Sequence, residues 1–438
     1  MSEQKTYSIQ YMMENISPVG TAPGAVVASP SRDNPNYFYH WVRDASLVTD
    51  VVVGLDELAT GQDKVLYDRT LDDLIDFSRQ LQLTPNPSGG LGEPKFNADG
   101  SPFQGAWGRP QDDGPALRAI ALTHLANDWL DDGQVGLVRQ KLYDAGATAQ
   151  TVIKADLDYV ASHWTETCFD LWEETRGHHF FTEMVERRAL LDGADLADRL
   201  GDKTASAWYR QQAGQLEDEI NRHWDAGRGI IIATLDRDGG LDYKQSGLDA
   251  GTILGVLRGW RGDSFFAPTD SRVQATVNAL EKTFGDLYPI NHDGLPGVLI
   301  GRYPEDRYDG YTSNSQGNPW VLLTNAFAEY YYRVASTYRD AGVIHIDSTN
   351  TRFFRALSPK WSKAFRSGQA FRAGSQGFTQ IIQQIQQRGD DFLEANRRHG
   401  LSAGHFSEEM NRQSGYMQGA NDLTWNYASY LTAYWSRR

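Results

Sequence analysis

Asp44-Ala45-Ser46-Leu47-Val48-Thr49-Asp50-Val51-Val52-Val53-Gly54-Leu55-Asp56-Glu57-Leu58 is the stretch that decides the fold. Leu47, Val48, Val51, Val52, Leu55 and Leu58 recur at helical spacing, so the segment predicts an amphipathic α-helix. Ala205, Trp208, Tyr209, Ala213, Leu216 and Ile220 repeat the pattern. Similar stripes run through 117–130, 152–160, 190–200, 273–284, 320–334, 378–393 and 423–434, and the whole chain reads as about twelve helical segments. Strand signals are sparse: residues 230–234, the turn Asp236-Arg237-Asp238-Gly239-Gly240 and residues 241–243 predict one small hairpin. The fold class expected is all-α.

Between the helices the connections are uneven. Residues 84–115, 161–182, 286–319 and 402–422 are long and rich in Gly, Pro and aromatics, and an extended arm is expected through 18–36. Loops beyond roughly 12–15 residues in a compact domain are usually functional. No linker, charge block or low-complexity run divides the 438 residues, so one domain over 1–438 is expected. The glutamines around 383–387 interleave with apolar positions and read as a solvated helix face.

Composition narrows the function. Asp and Glu total 57 against 42 Lys and Arg, and a net charge of −15 would repel a phosphate backbone, so nucleic acid is not an expected partner. No apolar run approaches the ~20 residues of a membrane span, and the first residues lack the unbroken apolar stretch of a secretory leader, which leaves the compartment unassigned. A lone cysteine, Cys168, excludes an intramolecular disulfide. Phosphate-loop, nucleophile-elbow and His-Glu-x-x-His motifs are absent, and adjacent His178 and His179 diverge too far to share a metal, so NTPase, serine hydrolase and zincin readings lose their support.

What the long loops offer is a recurring partnership of acids, arginines and rings. It appears in Tyr37-Phe38-Tyr39-His40-Trp41-Val42-Arg43-Asp44, Trp107-Gly108-Arg109-Pro110, Asp170-Leu171-Trp172-Glu173-Glu174, Gly301-Arg302-Tyr303-Pro304-Glu305-Asp306, and Ser407-Glu408-Glu409 leading toward Trp425. A pyranose ring presents apolar C–H faces that stack on Trp or Tyr, and hydroxyls that pair with carboxylates and forked guanidinium donors. Hydrolysing a glycosidic bond needs one carboxylic acid to protonate the leaving oxygen and a second carboxylate as base or nucleophile. Glu173 and Glu174 are sequence neighbours whose side chains diverge, so a partner from another loop is required, and Glu408 or Glu409 is the candidate.

The motifs also carry a resemblance. Pro30-Ser31-x-Asp33-Asn34-Pro35-x-Tyr37-Phe38-Tyr39-x-Trp41-x-Arg43-Asp44, Leu91-Gly92-Glu93-Pro94-Lys95-Phe96, the segment from Gly105 through Trp107-Gly108-Arg109-Pro110-Gln111 to Arg118, and Phe169-Asp170-Leu171-Trp172-Glu173-Glu174 resemble the fungal and yeast glucoamylases of glycoside hydrolase family 15. So do the segments 301–306, Gly317-Asn318-Pro319-Trp320, and Ser407-Glu408 with Asp422-Leu423-Thr424-Trp425, in family order. The resemblance implies an (α/α)6 barrel with an active-site pocket built from loops at one end. It implies release of β-D-glucose, with inversion and with no metal or cofactor, from the non-reducing ends of starch, glycogen and maltooligosaccharides. Position by position, Glu173 matches the general acid and Glu408 the general base. Arg43 and Asp44 match one sugar clamp, walled by Tyr37 and Trp41, and Arg302 and Asp306 match a second. Trp107 matches the loop tryptophan near the +1 sugar, and Asp170, Trp172, Glu174 and Trp320 match other pocket positions. Arg109 and Trp425, in the same motifs, complete the expected substrate-binding set.

Two alternatives stay within reach of the same residues: a family relative acting on α-1,6 or trehalose linkages, and a glycan-binding domain without catalysis. A monomer is expected, and no starch-binding domain is expected after Trp435. Glu409 departs from the Gln that many fungal members carry after the base, placing a further acid beside Glu408.

Overall fold

A computed structural model describes residues 2–146, 151–361 and 363–437. Among them are twelve helices of nine residues or more. They are α1 (Ser2–Glu14), α2 (Val42–Leu58), α3 (Gly61–Leu83), α4 (Asp113–Asp131), α5 (Val152–His163), α6 (Phe180–Leu200), α7 (Lys203–Arg222), α8 (Gly251–Gly259), α9 (Ser271–Leu287), α10 (Val321–Ala341), α11 (Gln376–His399) and α12 (Thr424–Ser436). Short antiparallel strand pairs punctuate the loops. The chain gathers into two compact units, one of residues 9–221 and 234–242, the other of residues 1–8, 222–233 and 243–438.

In the first unit α2 packs against both α3 and α4, and α4 against α5 and α6. That double contact explains where the sequence reading of α2 falls short. Val53 is fully buried although it lies off the expected stripe, while Leu58, on the stripe, is exposed. A helix with neighbours on several sides buries most of its circumference. α4 does the same, buried from Asp113 through Ala126 except at His124. By contrast α3 buries a single face: Tyr67, Thr70, Leu71, Leu74, Ile75, Phe77 and Leu81. Each fully buried Val or Leu contributes about 1.5–3 kcal/mol, so an Asp at Val52 would undo the α2 packing. The second unit repeats the contrast, with α10 nearly all buried between α11, α12 and α8, and α11 one-sided, its glutamines facing outward as expected.

The four long connections fall between α3 and α4, α5 and α6, α9 and α10, and α11 and α12, as the sequence indicated. The hairpin expected over 230–243 does not form. Ile230–Ile231 pairs with Trp224–Asp225, because Asp225 closes a tighter turn: Gly229 N donates to its carbonyl at 2.7 Å and Arg228 N to its Oδ1 at 3.0 Å. Thr234–Gly240 pairs instead with Thr175–His179. His178 and His179 therefore sit on a strand, where successive side chains take opposite faces. His179 is buried, bonding Thr234 and the Cys168 carbonyl; His178 lies 3.4 Å from Glu183.

Candidate active site

In the first unit, Cys168–Phe169 and Thr175–His179 form a hairpin whose tip is 170–174. Asp170 builds that tip. Its Oδ1 accepts from Glu174 N at 2.7 Å and Thr175 N at 2.9 Å, and its carbonyl from Glu173 N at 2.8 Å. Glu173 is held at φ 68°, a left-handed conformation that L residues adopt at a cost of about 1 kcal/mol or more. The strained backbone aims its carboxylate at α2: Oε1 accepts from Trp41 Nε1 at 2.7 Å, and Arg43 Nη2 lies 3.4 Å away. The side chain keeps 16 % exposure, so it is fixed yet reachable.

Arg43, at the start of α2, is a buried hub. Its Nη1 donates to Gln111 and Asp113, both at 2.9 Å, and its Nε is 3.8 Å from Asp44. Burial alone would lower its pKa, but the carboxylates of Asp113, Glu173 and Asp44 outweigh that and hold the guanidinium charged. Burial raises Asp44 to about 6 despite the pull of Arg43.

Rings surround this hub. Trp41 is within 5.6 Å of Tyr37, 6.1 Å of Tyr39 and 6.0 Å of Trp107, centroid to centroid. Lys95 Nζ sits among four of them, 4.2 Å from Tyr39, 4.4 Å from Trp41, 4.2 Å from Phe103 and 3.7 Å from Trp107. Burial lowers its pKa to about 8, with Glu173 pulling upward. Arg109 spends its donors inside the unit, with Nε 2.8 Å from each Glu93 oxygen and its Nη groups on the carbonyls of Gly105 and Phe103, so it braces the loop that carries Trp107. At Gly108 a Cβ would meet the Glu173 carbonyl at 2.7 Å, and this close approach requires glycine. Trp172 is buried at the tip and Glu174 half-buried.

The second unit carries the other cluster. Ser407–Met410 pairs antiparallel with Met417–Asn421, and a bulge falls between Ser407 and Glu409. All four residues of the first strand are buried. The bulge lets Glu408 and Glu409 both turn inward, where a regular pleat would send them to opposite faces. Glu408 Oε2 accepts from the Tyr308 hydroxyl at 3.2 Å; Glu409 Oε2 accepts from Asn318 Nδ2 at 2.9 Å. Burial, then the charge of Glu408, pushes the Glu409 carboxyl well above its usual range. Gly419 lies across the pair at φ 78°, and a Cβ there would come within 2.6 Å of Glu408 Oε2. Arg302 and Asp306 form a bidentate pair, Nε to Oδ2 at 2.8 Å and Nη2 to Oδ1 at 2.6 Å, under the rings of Tyr308 and Trp320. Trp320 bridges to the Glu409 backbone, and Trp425 is buried in the first turn of α12.

Each unit thus brings an Arg–Asp pair, aromatic walls and a buried or half-buried glutamate together. Among residues the sequence reading did not assign, Lys95, Gln111, Asp113, Tyr308 and Asn318 touch these groups directly. Four of them lie within the quoted motifs; Tyr308 falls just beyond one. Among the described residues, no helix is long and apolar enough to cross a membrane.

The family model described as Glycosyl hydrolases family 15 matches residues 5–435. The glucoamylase of Blastobotrys adeninivorans is 41 % identical over 436 residues, covering 98 % of this chain and 69 % of that protein. Glucoamylase 1 of Rhizopus oryzae is 38 % identical over 440 residues, covering 100 % and 70 %. Among solved structures, the family 15 glucoamylase from Hypocrea jecorina superposes with a TM-score of 0.90 at 32 % identity, over 100 % of this chain and 71 % of that one. The Saccharomycopsis fibuligera glucoamylase gives 0.90 at 33 % identity, over 100 % and 94 %. The solved structures it matches are (α/α)6 barrels, so the all-α fold class read from the sequence is the observed one.

Proposed function

The chain belongs to glycosyl hydrolase family 15, and we propose from that premise that it is an exo-acting, inverting glucan 1,4-α-glucosidase working as one catalytic domain. It is a glycoside hydrolase with glucoamylase activity, and its substrate is an α-glucan. In the finer reading Glu173, as a carboxylic acid, protonates the glycosidic oxygen. Glu408, as a carboxylate, takes a proton from the water that attacks the anomeric carbon. The C–O bond to the leaving sugar breaks with its electron pair on the now protonated oxygen, and solvent restores both glutamates. Arg43, Asp44, Arg302 and Asp306 hold sugar hydroxyls while the ring flattens toward an oxocarbenium ion, and Tyr37, Trp41, Trp107 and Trp320 stack on its apolar faces.

The observation that carries this reading is a shared feature of the two glutamates. One carboxylate oxygen of each is pinned by an aromatic donor, Trp41 Nε1 on Glu173 and the Tyr308 hydroxyl on Glu408. Pinning one oxygen orients the other for proton transfer. The test is proton NMR of fresh hydrolysate from maltose, maltoheptaose and soluble starch: β-glucose appears first. Initial α-glucose would refute inversion, and faster turnover of isomaltose or trehalose would replace the substrate.

A further inference from the structure

We propose that this chain binds a divalent transition metal, outside the machinery described above, through His124 Nε2 and the carboxylates of Glu57 and Asp128. Each of the three offers one ligand atom, and these atoms lie within 4.8 Å of one another. His124 and Asp128 are four residues apart on α4 and therefore share a face; Glu57 comes from the last turn of α2, which packs against α4. His124 is the one position between Asp113 and Ala126 that is not buried, so an imidazole stands where an otherwise enclosed helix reaches solvent.

The geometry goes beyond a gathering of acids. His124 Nε2 is 2.7 Å from Glu57 Oε1, while Nδ1 is 3.1 Å from Asp50 Oδ1. Asp50 holds Nδ1–H, the backing that metal-bound imidazoles receive, and a metal at Nε2 would take the place of the proton that bridges it to Glu57 Oε1. Glu57 and Asp128 are themselves within hydrogen-bonding reach, two acids crowded beside one imidazole, and Asp131 is already engaged by Arg199. A dication binding here would displace the protons that bridge His124 to Glu57 and Glu57 to Asp128, leaving two carboxylates and a neutral imidazole as its ligands. One imidazole and two carboxylates suit zinc or cobalt(II), with water completing the shell, whereas magnesium and calcium favour oxygen-only sites. Glu57 lies fourteen residues beyond Arg43 on α2, about 21 Å at 1.5 Å per residue, so the metal would clamp the helix pair far from the sugar clamp. Its effect falls on stability.

The experiment uses the full chain, stripped with EDTA and dialysed, with zinc alone as ligand and cobalt(II) as spectroscopic probe. Zinc should raise the Tm by roughly 3 °C at a hundredfold excess over its Kd, given linkage and the usual unfolding entropy per residue. His124→Asn and Glu57→Gln should each abolish that rise, and cobalt(II) should show intensified visible bands of a mixed nitrogen and oxygen site on the wild type. An equal rise in both variants, or the cobalt spectrum of the hydrated ion alone, would overturn the proposal; the cobalt result stands even where a variant fails to fold.

Discussion

Glu409→Gln separates the buried second acid from Glu408, the proposed base, beside it. Glu409 is fully buried, Asn318 Nδ2 donates to its Oε2 at 2.9 Å, and its Oε1 has no hydrogen-bond partner among the described residues. Burial, then the neighbouring Glu408, lifts its pKa well above the ordinary 4.5. In the unfolded chain the carboxyl returns to that ordinary value. Between the two values the unfolded state has released a proton that the folded state keeps, so stability falls as pH rises, by about 1.4 kcal/mol per pH unit. The contribution is whole below the unfolded pKa, declines above it and levels off at the folded pKa. Glutamine has no proton to release. Its carbonyl preserves the Asn318 bond, and its amide meets the unpartnered position at a fixed, pH-independent cost of about 1–3 kcal/mol. The difference between the two proteins should therefore tilt in favour of the variant as pH rises. With about 2.1 cal/mol/K of unfolding entropy per residue, 438 residues convert the slope to roughly 1.5 °C in Tm per pH unit. Differential scanning calorimetry of both proteins from about pH 5 to about pH 7 reads it. A Tm difference that stays flat across that range would show Glu409 to be ionised in the fold and would refute the reasoning.

Three further outcomes follow from the same contacts. Glu173→Gln and Glu408→Gln should each lower kcat on maltose by about 10²–10⁴-fold with little change in circular dichroism, since each removes one proton transfer. Asp170→Ala should leave the Glu174 and Thr175 amides without their acceptor, costing about 1–3 kcal/mol for each, while Asp170→Asn keeps an oxygen there and loses less; denaturant melts at one pH rank the three proteins. Lys95 should release its proton near pH 8 and change tryptophan fluorescence through Trp41 and Trp107, and Lys95→Met should abolish that transition.

How much of this was legible depended on whether a signal was local. Helices were legible because periodicity is local, and the four long connections because Gly, Pro and aromatics interrupt it. The depth of a helix was not. Val51 and Val52 fit a stripe as well as full enclosure, and burial of Val53, off that stripe, comes from packing against both α3 and α4. The misplaced hairpin has a similar cause: Asp225 and Gly229 compete with the Asp-Gly-Gly turn for the same apolar residues, and the strand left over finds a partner some sixty residues earlier in the chain.

The site residues divide along the same line. Trp41, Arg43 and Asp44 announce themselves because three chemistries crowd into four positions, and Glu173 because it shares a hairpin tip with Asp170 and Trp172. Lys95 carries no such mark. Its part follows from rings at 39, 41, 103 and 107 closing round one ammonium, and a cation among rings beside Glu173 exists only once the loops have met. Glu57, His124 and Asp128 are spread over two helices in the same way, with no motif joining them. In this chain contiguous motifs hold the groups assigned to the substrate and, at Lys95, Asp113 and Asn318, the groups that tune charge around them, but which of these face one another is decided only when distant loops meet. Substitutions at Lys95, Asp113 and Asn318 should accordingly move pH profiles, while those at Trp41 and Arg43 move turnover itself.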